Sequence, residues 1–372
     1  MKIPALLLAL ATLAGALGAA EPIKIGEFAC LTGKDATFGQ SQHKGIVLAL
    51  EEINAAGGVL GQPVDVITED NQSKPGDSAT VAKKLLSRDK VIAILGEVTS
   101  GRSLEVAPLA QNARIPMIAT GATNPKVTQS GTYIFRVCFI DDFQGTVMAK
   151  FAKNDLKAKR VAILTSVSSA YSVGLTKYFK ETFLASGGEV VAEQKFSEGD
   201  KDFRAQLTAA KAAGADAIFV PGYYTEAALV VKQARDLGMQ MPFFGGDGWE
   251  SEKLLEIGGD ALNGCYYSTH FTPENKDPAV VEFVKKFRAR WNNETPDAYA
   301  ALGYDALYVL VAAIKRTGGT EGPRLREALA ATKNFSGASG ITTIDKDRNA
   351  SKPATIIALQ DGKAKFFKTV AP

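Results

Sequence analysis

Apolar and polar residues follow two alternating patterns along most of the chain. Short runs in which every residue is apolar, such as Val91 to Leu95 and Ala217 to Val220, predict buried strands. Longer stretches with apolar residues on one face, such as Gln40 to Ala55, predict amphipathic helices. The predicted strands are 23–28, 64–69, 91–95, 116–120, 161–164, 190–196, 217–220 and 265–269; the predicted helices are 40–55, 77–87, 103–113, 172–186 and 203–213. This alternation indicates βαβ units, and its restart near Arg160 predicts two doubly wound α/β sheets.

A weak internal repeat supports the division into two halves. Twenty residues separate Gly96 from Pro116, and twenty separate Gly222 from Pro242, each time between the end of one strand and the start of the next. Each second strand runs into a loop of small and polar residues, 120–123 in one half and 245–248 in the other. Ligands of open parallel sheets bind outside the carboxyl ends of the strands. We therefore expect the two loops to face each other across a cleft, although βαβ units in general share part of this pattern.

The C-terminal part does not begin a third sheet. Helices are predicted at 278–292, 299–316 and 323–331, and two strands, 355–360 and 364–368, are joined by the hairpin signal Asp361-Gly362. These elements are expected to complete both halves, so that the chain crosses between them more than once.

The first twenty residues have the pattern of a secretory signal peptide. Lys2 precedes an apolar run from Leu6 to Leu17, and Gly18-Ala19-Ala20 suits cleavage near Ala20. The run is shorter than the roughly 20 residues of a membrane span, and we expect no later segment of that length. No cysteine follows it that could carry a lipid. The mature protein is expected to be soluble and periplasmic.

The composition and the missing motifs argue against several classes of function. The net charge is only +3, and acidic and basic residues are interspersed, so a nucleic-acid partner is not expected. The motifs of nucleophilic hydrolases, phosphate loops, zinc proteases and dinucleotide sites are absent from the sequence. The two histidines, His43 and His270, are interpreted as structural. We expect neither catalysis, nor a metal, nor a cofactor.

The strand-end loops do offer binding chemistry. Hydroxyls and free amides at helix N-termini suit a carboxylate, a single acid such as Asp247 suits an ammonium group, and tyrosines supply flat apolar walls. Taken singly, Ser100 is equally explained as a helix N-cap and Asp247 as a turn residue. Together they predict a site for a zwitterion with an apolar tail.

Three segments carry a resemblance to a known family. With Ile23-Lys24-Ile25-Gly26, Leu31-Thr32-Gly33 and above all ALEEINAAGGVL at Ala49–Leu60, the chain resembles the periplasmic leucine/isoleucine/valine-binding proteins of bacterial ABC transporters. The resemblance implies a type I periplasmic binding protein fold with a three-strand hinge, no cofactor, an inner-membrane ABC permease as partner and a monomer. It places residues 21–138 and 271–341 in lobe 1, and residues 139–270 and 342–372 in lobe 2.

The resemblance also assigns binding roles. In lobe 1, Ser100 would hold the ligand carboxylate, Thr123 would contact both charged ends, and the carbonyl of Gly121 would accept from the ammonium. In lobe 2, Asp247 would pair the ammonium. The remaining residues expected around the ligand are Tyr171, Tyr223, Trp249, Phe38 and Tyr299.

The chain departs from the family in three ways. Well-known members have Glu at the position of Asp247, and Trp249 beside it is expected to reshape the side-chain pocket. No cysteine lies near Asn71 or Glu97, where the family's usual disulfide would be. Cys138 and Cys265 are instead expected to pair across the hinge, with two small buried thiols as the alternative.

The expected function is extracytoplasmic binding of a neutral, branched-chain aliphatic L-amino acid by hinge closure. An aromatic or broader neutral amino-acid specificity is the alternative ligand range. A periplasmic sensor domain and an enzyme on a similar α/β frame are the alternatives of a different class.

Overall fold

The computed structural model describes residues 21–372, and the predicted signal peptide lies outside the described residues. The first sheet has five parallel strands in the order β2-β1-β3-β4-β5. Its strands are β1 (Ile23–Ala29), β2 (Val64–Asp70), β3 (Ile94–Leu95), β4 (Met117–Ala119) and β5 (Ile134–Arg136). Its helices are α1 (Ala36–Ala55), α2 (Asp77–Lys83), which continues as a π-helical turn at Lys84–Asp89, α3 (Ser100–Ala113) and α4 (Lys126–Gln129). This sheet with its helices is lobe 1.

Lobe 2 is built on a second sheet of seven strands, in the order β15-β14-β10-β9-β8-β6-β7. Five strands run in parallel: β6 (Arg160–Ser166), β7 (Glu189–Phe196), β8 (Ala217–Phe219), β9 (Phe243–Gly245) and β10 (Cys265–Thr269). The helices are α5 (Asp141–Asn154), α6 (Ala170–Ala185), α7 (Arg204–Ala212), α8 (Tyr224–Asp236) and α9 (Glu252–Gly258). The two predicted parallel sheets are confirmed.

The C-terminal elements are shared between the lobes. Helices α10 (Pro278–Arg290), α11 (Ala298–Thr317) and α12 (Gly322–Ala330) return to lobe 1. Strands β11 (Phe335–Gly337), β12 (Gly340–Ile344) and β13 (Ala350–Ser351) form a small third sheet. The predicted hairpin, β14 (Ala354–Gln360) and β15 (Lys363–Val370), then joins the sheet of lobe 2 through antiparallel pairing with β10.

Helix α11 packs closely on α1. A side chain at Gly45 would collide with the carbonyl oxygen of Ala300, and one at Gly303 would collide with that of Gln42. Within residues 21–372, α11 is the one helix that is long and apolar enough to span a membrane. Of its most apolar 18-residue stretch, however, 78% is buried inside the protein. The expectation that no later segment reaches this length was therefore wrong, because a helix buried against α1 needs apolar residues over most of its surface.

The chain passes between the lobes at residues 137–140, 270–277 and 352–353. The rings of Phe139 and His270 lie 3.7 Å apart between centroids, so the first two crossovers run side by side there. The expected boundary at 341/342 is misplaced. Strands β12 and β13 pair with β11, and the backbone of Arg136 in lobe 1 donates to the carbonyl of Arg348. Residues 342–351 thus bond to lobe 1, and the third crossover follows Ser351.

Candidate functional site

A small cavity lies between the lobes, at the carboxyl ends of strands from both sheets. It contains 170 Å³ of empty space, and its walls are Val98, Gly121, Thr123, Tyr171, Tyr223, Asp247, Gly248 and Tyr299. The loops after β4 and β9 contribute Gly121 and Thr123 from one side and Asp247 and Gly248 from the other. The prediction that these two loops face each other is confirmed.

Three of the residues expected around the ligand do not line this cavity. The Ser100 hydroxyl accepts from the backbone N–H of Asn124 at 3.1 Å, so it adjoins the loop that carries Thr123. Phe38 stands edge-on to Tyr223 and Tyr299, with ring centroids 5.7 and 4.9 Å away. Phe38 therefore supports the cavity walls from behind, whereas Ser100 lies at the start of α3 beside the loop that carries Thr123.

Trp249 points away from the cavity, and its expected role in shaping the ligand pocket was wrong. Its indole is fully buried inside lobe 2, and Nε1 donates to the carbonyl of Val220 at 2.9 Å. Residues Asp247–Trp249 form a 3₁₀ turn. Because such a turn has three residues per revolution, residues two positions apart point in different directions, and Asp247 alone of the pair faces the cavity.

The carboxyl group of Asp247 is held by two side chains that sequence reasoning did not assign to the site. Gln144 Nε2 donates to Oδ1 at 2.8 Å, and His270 Nε2 lies 3.0 Å from Oδ2. Gln144 is in the first turn of α5, and His270 directly follows β10. Their positions at the carboxyl end of the second sheet were a usable signal, but neither motif nor spacing connected them to Asp247.

His270 is buried directly against Asp247. Its ring is completely buried, and this burial lowers the pKa of the imidazole below its ordinary value, while the bond to Asp247 opposes the shift. Its buried Nδ1 has no hydrogen-bond partner. Burial therefore disfavours a positive charge on the ring beside Asp247, which suits this acid to a ligand cation.

Lobe 1 presents hydrogen-bond donors on the side of the cavity opposite Asp247. Helix α3 begins at Ser100, where first-turn amides have no partner within a helix. The hydroxyl of Thr123 is buried and has no partner. Two carbonyls flanking Thr123, those of Ala122 and Asn124, accept from the buried guanidinium of Arg136, which holds this loop in place. Donors of this kind bind carboxylates.

A second, polar cavity borders the first. It contains 260 Å³ of empty space, shares Tyr223 with the first cavity, and is lined by Thr99 and Gly101 at the start of α3. The N-terminus of α3 therefore faces the region between the lobes.

A buried glutamate supports the loop before α3. Glu97 accepts hydrogen bonds from Asn71 Nδ2 and, at 2.6 Å, from the hydroxyl of Thr99. Asn71 and Glu97 occupy the places where the resemblance implies a disulfide in other members, so a polar contact links these two segments here. Burial raises the pKa of Glu97 to about 7, although the hydrogen bonds from Thr99 and Asn71 act in the opposite direction.

This raised pKa predicts a stability that falls with rising pH. The folded protein binds the Glu97 proton more tightly than the unfolded chain does. The contribution of this proton to the free energy of unfolding is therefore complete below pH 4.5 and is lost as the pH rises to about 7. The shift corresponds to about 3 kcal/mol. In Glu97→Gln this contribution to the pH dependence is expected to disappear, as measured by urea unfolding at about pH 4.5 and about pH 8.

Glu321→Gln is the matched control, because it makes the same chemical change at an exposed position. It should leave the pH dependence as in the wild type. A difference in unfolding free energy between wild type and Glu97→Gln that does not change with pH would refute the role of Glu97.

Direct contacts join the lobes around the two cavities. The ammonium of Lys34 in lobe 1 lies 2.8 Å from a carboxylate oxygen of Glu198 in lobe 2. Asn124 Nδ2 donates to the carbonyl of Ala170 at 2.7 Å, and the Tyr299 hydroxyl donates to the carbonyl of Asp247 at 2.7 Å. Both cavities are therefore enclosed between two touching lobes.

The expected disulfide across the hinge was wrong. Cys30, Cys138 and Cys265 are all free and buried. Cys265 is the first residue of β10, and five residues at the rise of a strand place it roughly 16 Å from the crossover at His270. A disulfide needs Cα atoms within about 7 Å. The alternative, buried thiols, is what the structure contains. Within residues 21–372, no group of three His, Cys, Asp or Glu side chains is placed to hold a metal ion.

Comparisons with known proteins agree with this architecture. The model of the family described as "Periplasmic binding protein" matches residues 22–364. A Leu/Ile/Val-binding protein homolog 3 from Brucella melitensis is 32% identical over 356 residues, which is 95% of each chain. A crystal structure of the leucine binding protein LivK from Thermotoga maritima is 39% identical, with a TM-score of 0.91, over 94% of this chain and 99% of that one.

The substrate binding protein LivJ from Streptococcus pneumoniae, solved in complex with isoleucine, is 35% identical, with a TM-score of 0.89. The alignment covers 95% of this chain and 100% of LivJ. Two α/β lobes around an enclosed cavity, a family model that spans nearly all described residues and these relatives lead to one conclusion: the chain belongs to the periplasmic binding protein family.

Proposed function

We propose that this protein is the solute-binding component of an ABC transporter and that it binds a neutral, branched-chain aliphatic L-amino acid between its lobes. One observation carries the proposal. Asp247 on the lobe 2 side faces the unpartnered Thr123 hydroxyl on the lobe 1 side of one cavity, and the start of α3 lies at the adjoining cavity. A zwitterion has the matching pair of charges.

Each wall has a distinct role in this proposal. The first turn of α3 with Ser100 and Thr123 binds the carboxylate, and the Gly121 carbonyl with Asp247 binds the ammonium. The side chain of the ligand packs among the apolar parts of Val98, Tyr299 and the stacked pair Tyr171 and Tyr223, whose rings are 5.3 Å apart. The relatives, which include a leucine binding protein and a Leu/Ile/Val-binding protein homolog, support an aliphatic ligand.

Hinge closure is the proposed mechanism. A ligand that bridges the two walls binds the closed arrangement better than an open one, so it shifts the population toward closure. The three crossovers are short connections, and the contacts Lys34–Glu198 and Asn124–Ala170 are available only when the lobes meet.

The cellular setting follows from the family and from the N-terminus. We propose that the signal peptide is cleaved near Ala20, that the mature protein is a periplasmic monomer, and that it delivers its ligand to an inner-membrane permease. We further propose that it is not an enzyme, since Gln144 and His270 bond to the carboxyl group of Asp247 and hold it in position.

A thermal-shift screen of the twenty amino acids tests the proposal. Leucine, isoleucine and valine should raise the melting temperature most, since ligand at 100 times its Kd stabilises a protein by about 2.7 kcal/mol. Differences among them should be modest, because one buried CH₂ is worth about 0.8 kcal/mol, or about fourfold in Kd.

A truncated ligand serves as the control in the screen. 4-Methylpentanoate lacks the ammonium of leucine, so it should not stabilise the protein comparably. Equal stabilisation by 4-methylpentanoate would contradict recognition of the ammonium, and a larger shift with aromatic amino acids would assign the broader specificity instead.

A further inference from the structure

A larger groove lies between the lobes, apart from the two cavities described above. Its empty space, open solvent included, is 1190 Å³. Residues of α1 and of the segment before α11 form its lobe 1 side; α9, β10, β14 and the second crossover form the rest. No residue that lines it also lines the cavity at Asp247. The groove is therefore a separate feature that needs both lobes to be complete.

The groove is strongly acidic. Five carboxyl groups line it, those of Glu250, Glu252, Glu274, Glu294 and Asp297, against a single lysine. That lysine, Lys44, is already paired with Glu294 at 2.6 Å. The charge that the groove offers to a ligand is thus negative.

One of these carboxyl groups is buried and incompletely bonded. Glu250 is 9% exposed; its Oε1 accepts from the backbone N–H of Ala298 at 2.9 Å, while Oε2 is buried without a hydrogen-bond partner. Close by, Asp297 accepts from the Ser41 hydroxyl and, at 2.9 Å, from the N–H of Ala300. A carboxylate oxygen buried without a partner costs free energy, and a ligand donor would remove that cost.

We propose that this groove is a binding site for an organic cation, a primary alkylammonium, with Glu250 and Asp297 as the acceptors of its ammonium group. The apolar side chains of Leu254, Leu255, Phe271 and Ile357 line the same groove and suit the alkyl part. A zwitterion is disfavoured, because its carboxylate would meet a negative surface with no free cation. The site is independent of the proposed amino-acid cavity.

The electrostatics of the groove agree with a cationic ligand. Burial raises the pKa of Glu250 well above its ordinary value, and the carboxyls of Asp297 and Asp247 add to the rise. The pKa of Asp297 is raised by burial and by Glu294. The other titratable groups facing this pair are Tyr267, Glu252, Glu274 and Lys44. An ammonium favours the charged form of the acids, so its binding should strengthen as the pH rises.

Calorimetric titration of the full mature chain with n-butylamine tests the proposal, with n-butanol and butyrate as uncharged and anionic counterparts. Only n-butylamine should bind at millimolar concentration, and its affinity should increase with pH. Glu250→Gln should weaken n-butylamine binding at least about tenfold. Glu252→Gln removes the same charge from an exposed rim position and should change the affinity less than about threefold.

Leucine binding is measured on the same variants, so that the two sites are judged separately. Glu250→Gln should bind leucine as the wild type does. The proposal is overturned if n-butylamine gives no heat with the wild type, or if Glu250→Gln binds it normally. It is also overturned if Asp247→Asn abolishes amine binding, since the amine would then occupy the other cavity.

Discussion

Asp247→Ala is expected to remove most of the leucine binding. The substitution takes away the one carboxylate that lines the cavity, and with it the buried oxygens that Gln144 Nε2 and His270 Nε2 contact. Truncating one partner of a buried charge pair costs about 2–5 kcal/mol, which is from about 30-fold to several thousand-fold in Kd. Isothermal titration calorimetry with leucine measures the loss, after thermal unfolding has shown that the variant folds.

Asp236→Ala provides the matched control. Asp236 lies in the last turn of α8, in the same lobe, and is exposed. The control makes the same chemical change outside the cavity, so leucine affinity should remain within about twofold of the wild type. Near-normal binding by Asp247→Ala would exclude the assigned pairing of this acid with the ligand ammonium, whatever its effect on stability.

Asp305→Ala is expected to destabilise the fold by about 3–5 kcal/mol, the usual cost of leaving one partner of a buried ion pair alone. Asp305 in α11 is fully buried and accepts from the N–H groups of Ala338 and Ser339 at 2.6 and 2.9 Å. Lys352, at the third crossover, is 1% exposed and lies 3.7 Å from it. Burial lowers the pKa of Lys352, and Asp305 opposes that shift. Urea unfolding followed by circular dichroism measures the effect.

Two further variants distinguish the loss of the buried Asp305–Lys352 pair from the general effect of removing a charge. Lys352→Met leaves Asp305 with its bonds from Ala338 and Ser339, and should cost less than Asp305→Ala. Asp347→Ala breaks an exposed pair with Lys346, whose atoms are 2.8 Å apart, and should cost no more than about 1 kcal/mol. If Asp305→Ala were as mild as Asp347→Ala, the buried pair would not stabilise the hinge region.

Much of the architecture was accessible from the pattern of residues. Strands such as Val161–Leu164 were predicted from unbroken apolar runs, and helices such as Ser172–Ser186 from apolar residues on one face, because neighbours within an element share its environment. The paired loops 120–123 and 245–248 were predicted to face each other for a related reason. Strands of a parallel sheet end on the same edge, so that the position of a loop along the sequence already indicates its edge of the sheet.

Other features depended on contacts that local pattern does not encode. Gln144 and Asp247 are 103 residues apart, and only the packing of α5 against the carboxyl end of the second sheet brings them together. The order of strands placed β12 and β13 beside β11, although their sequences would fit either lobe.

The direction of single side chains was also decided by tertiary structure. Trp249 and Asp247 are two residues apart in a short turn, yet one packs into lobe 2 and the other faces the cavity. Cys265 stands at the far end of a strand from the hinge that the resemblance assigned to it. Local periodicity determines which segments are helices and strands and at which edge they end. Long-range packing determines which side chains meet, because that depends on residues far apart in the chain.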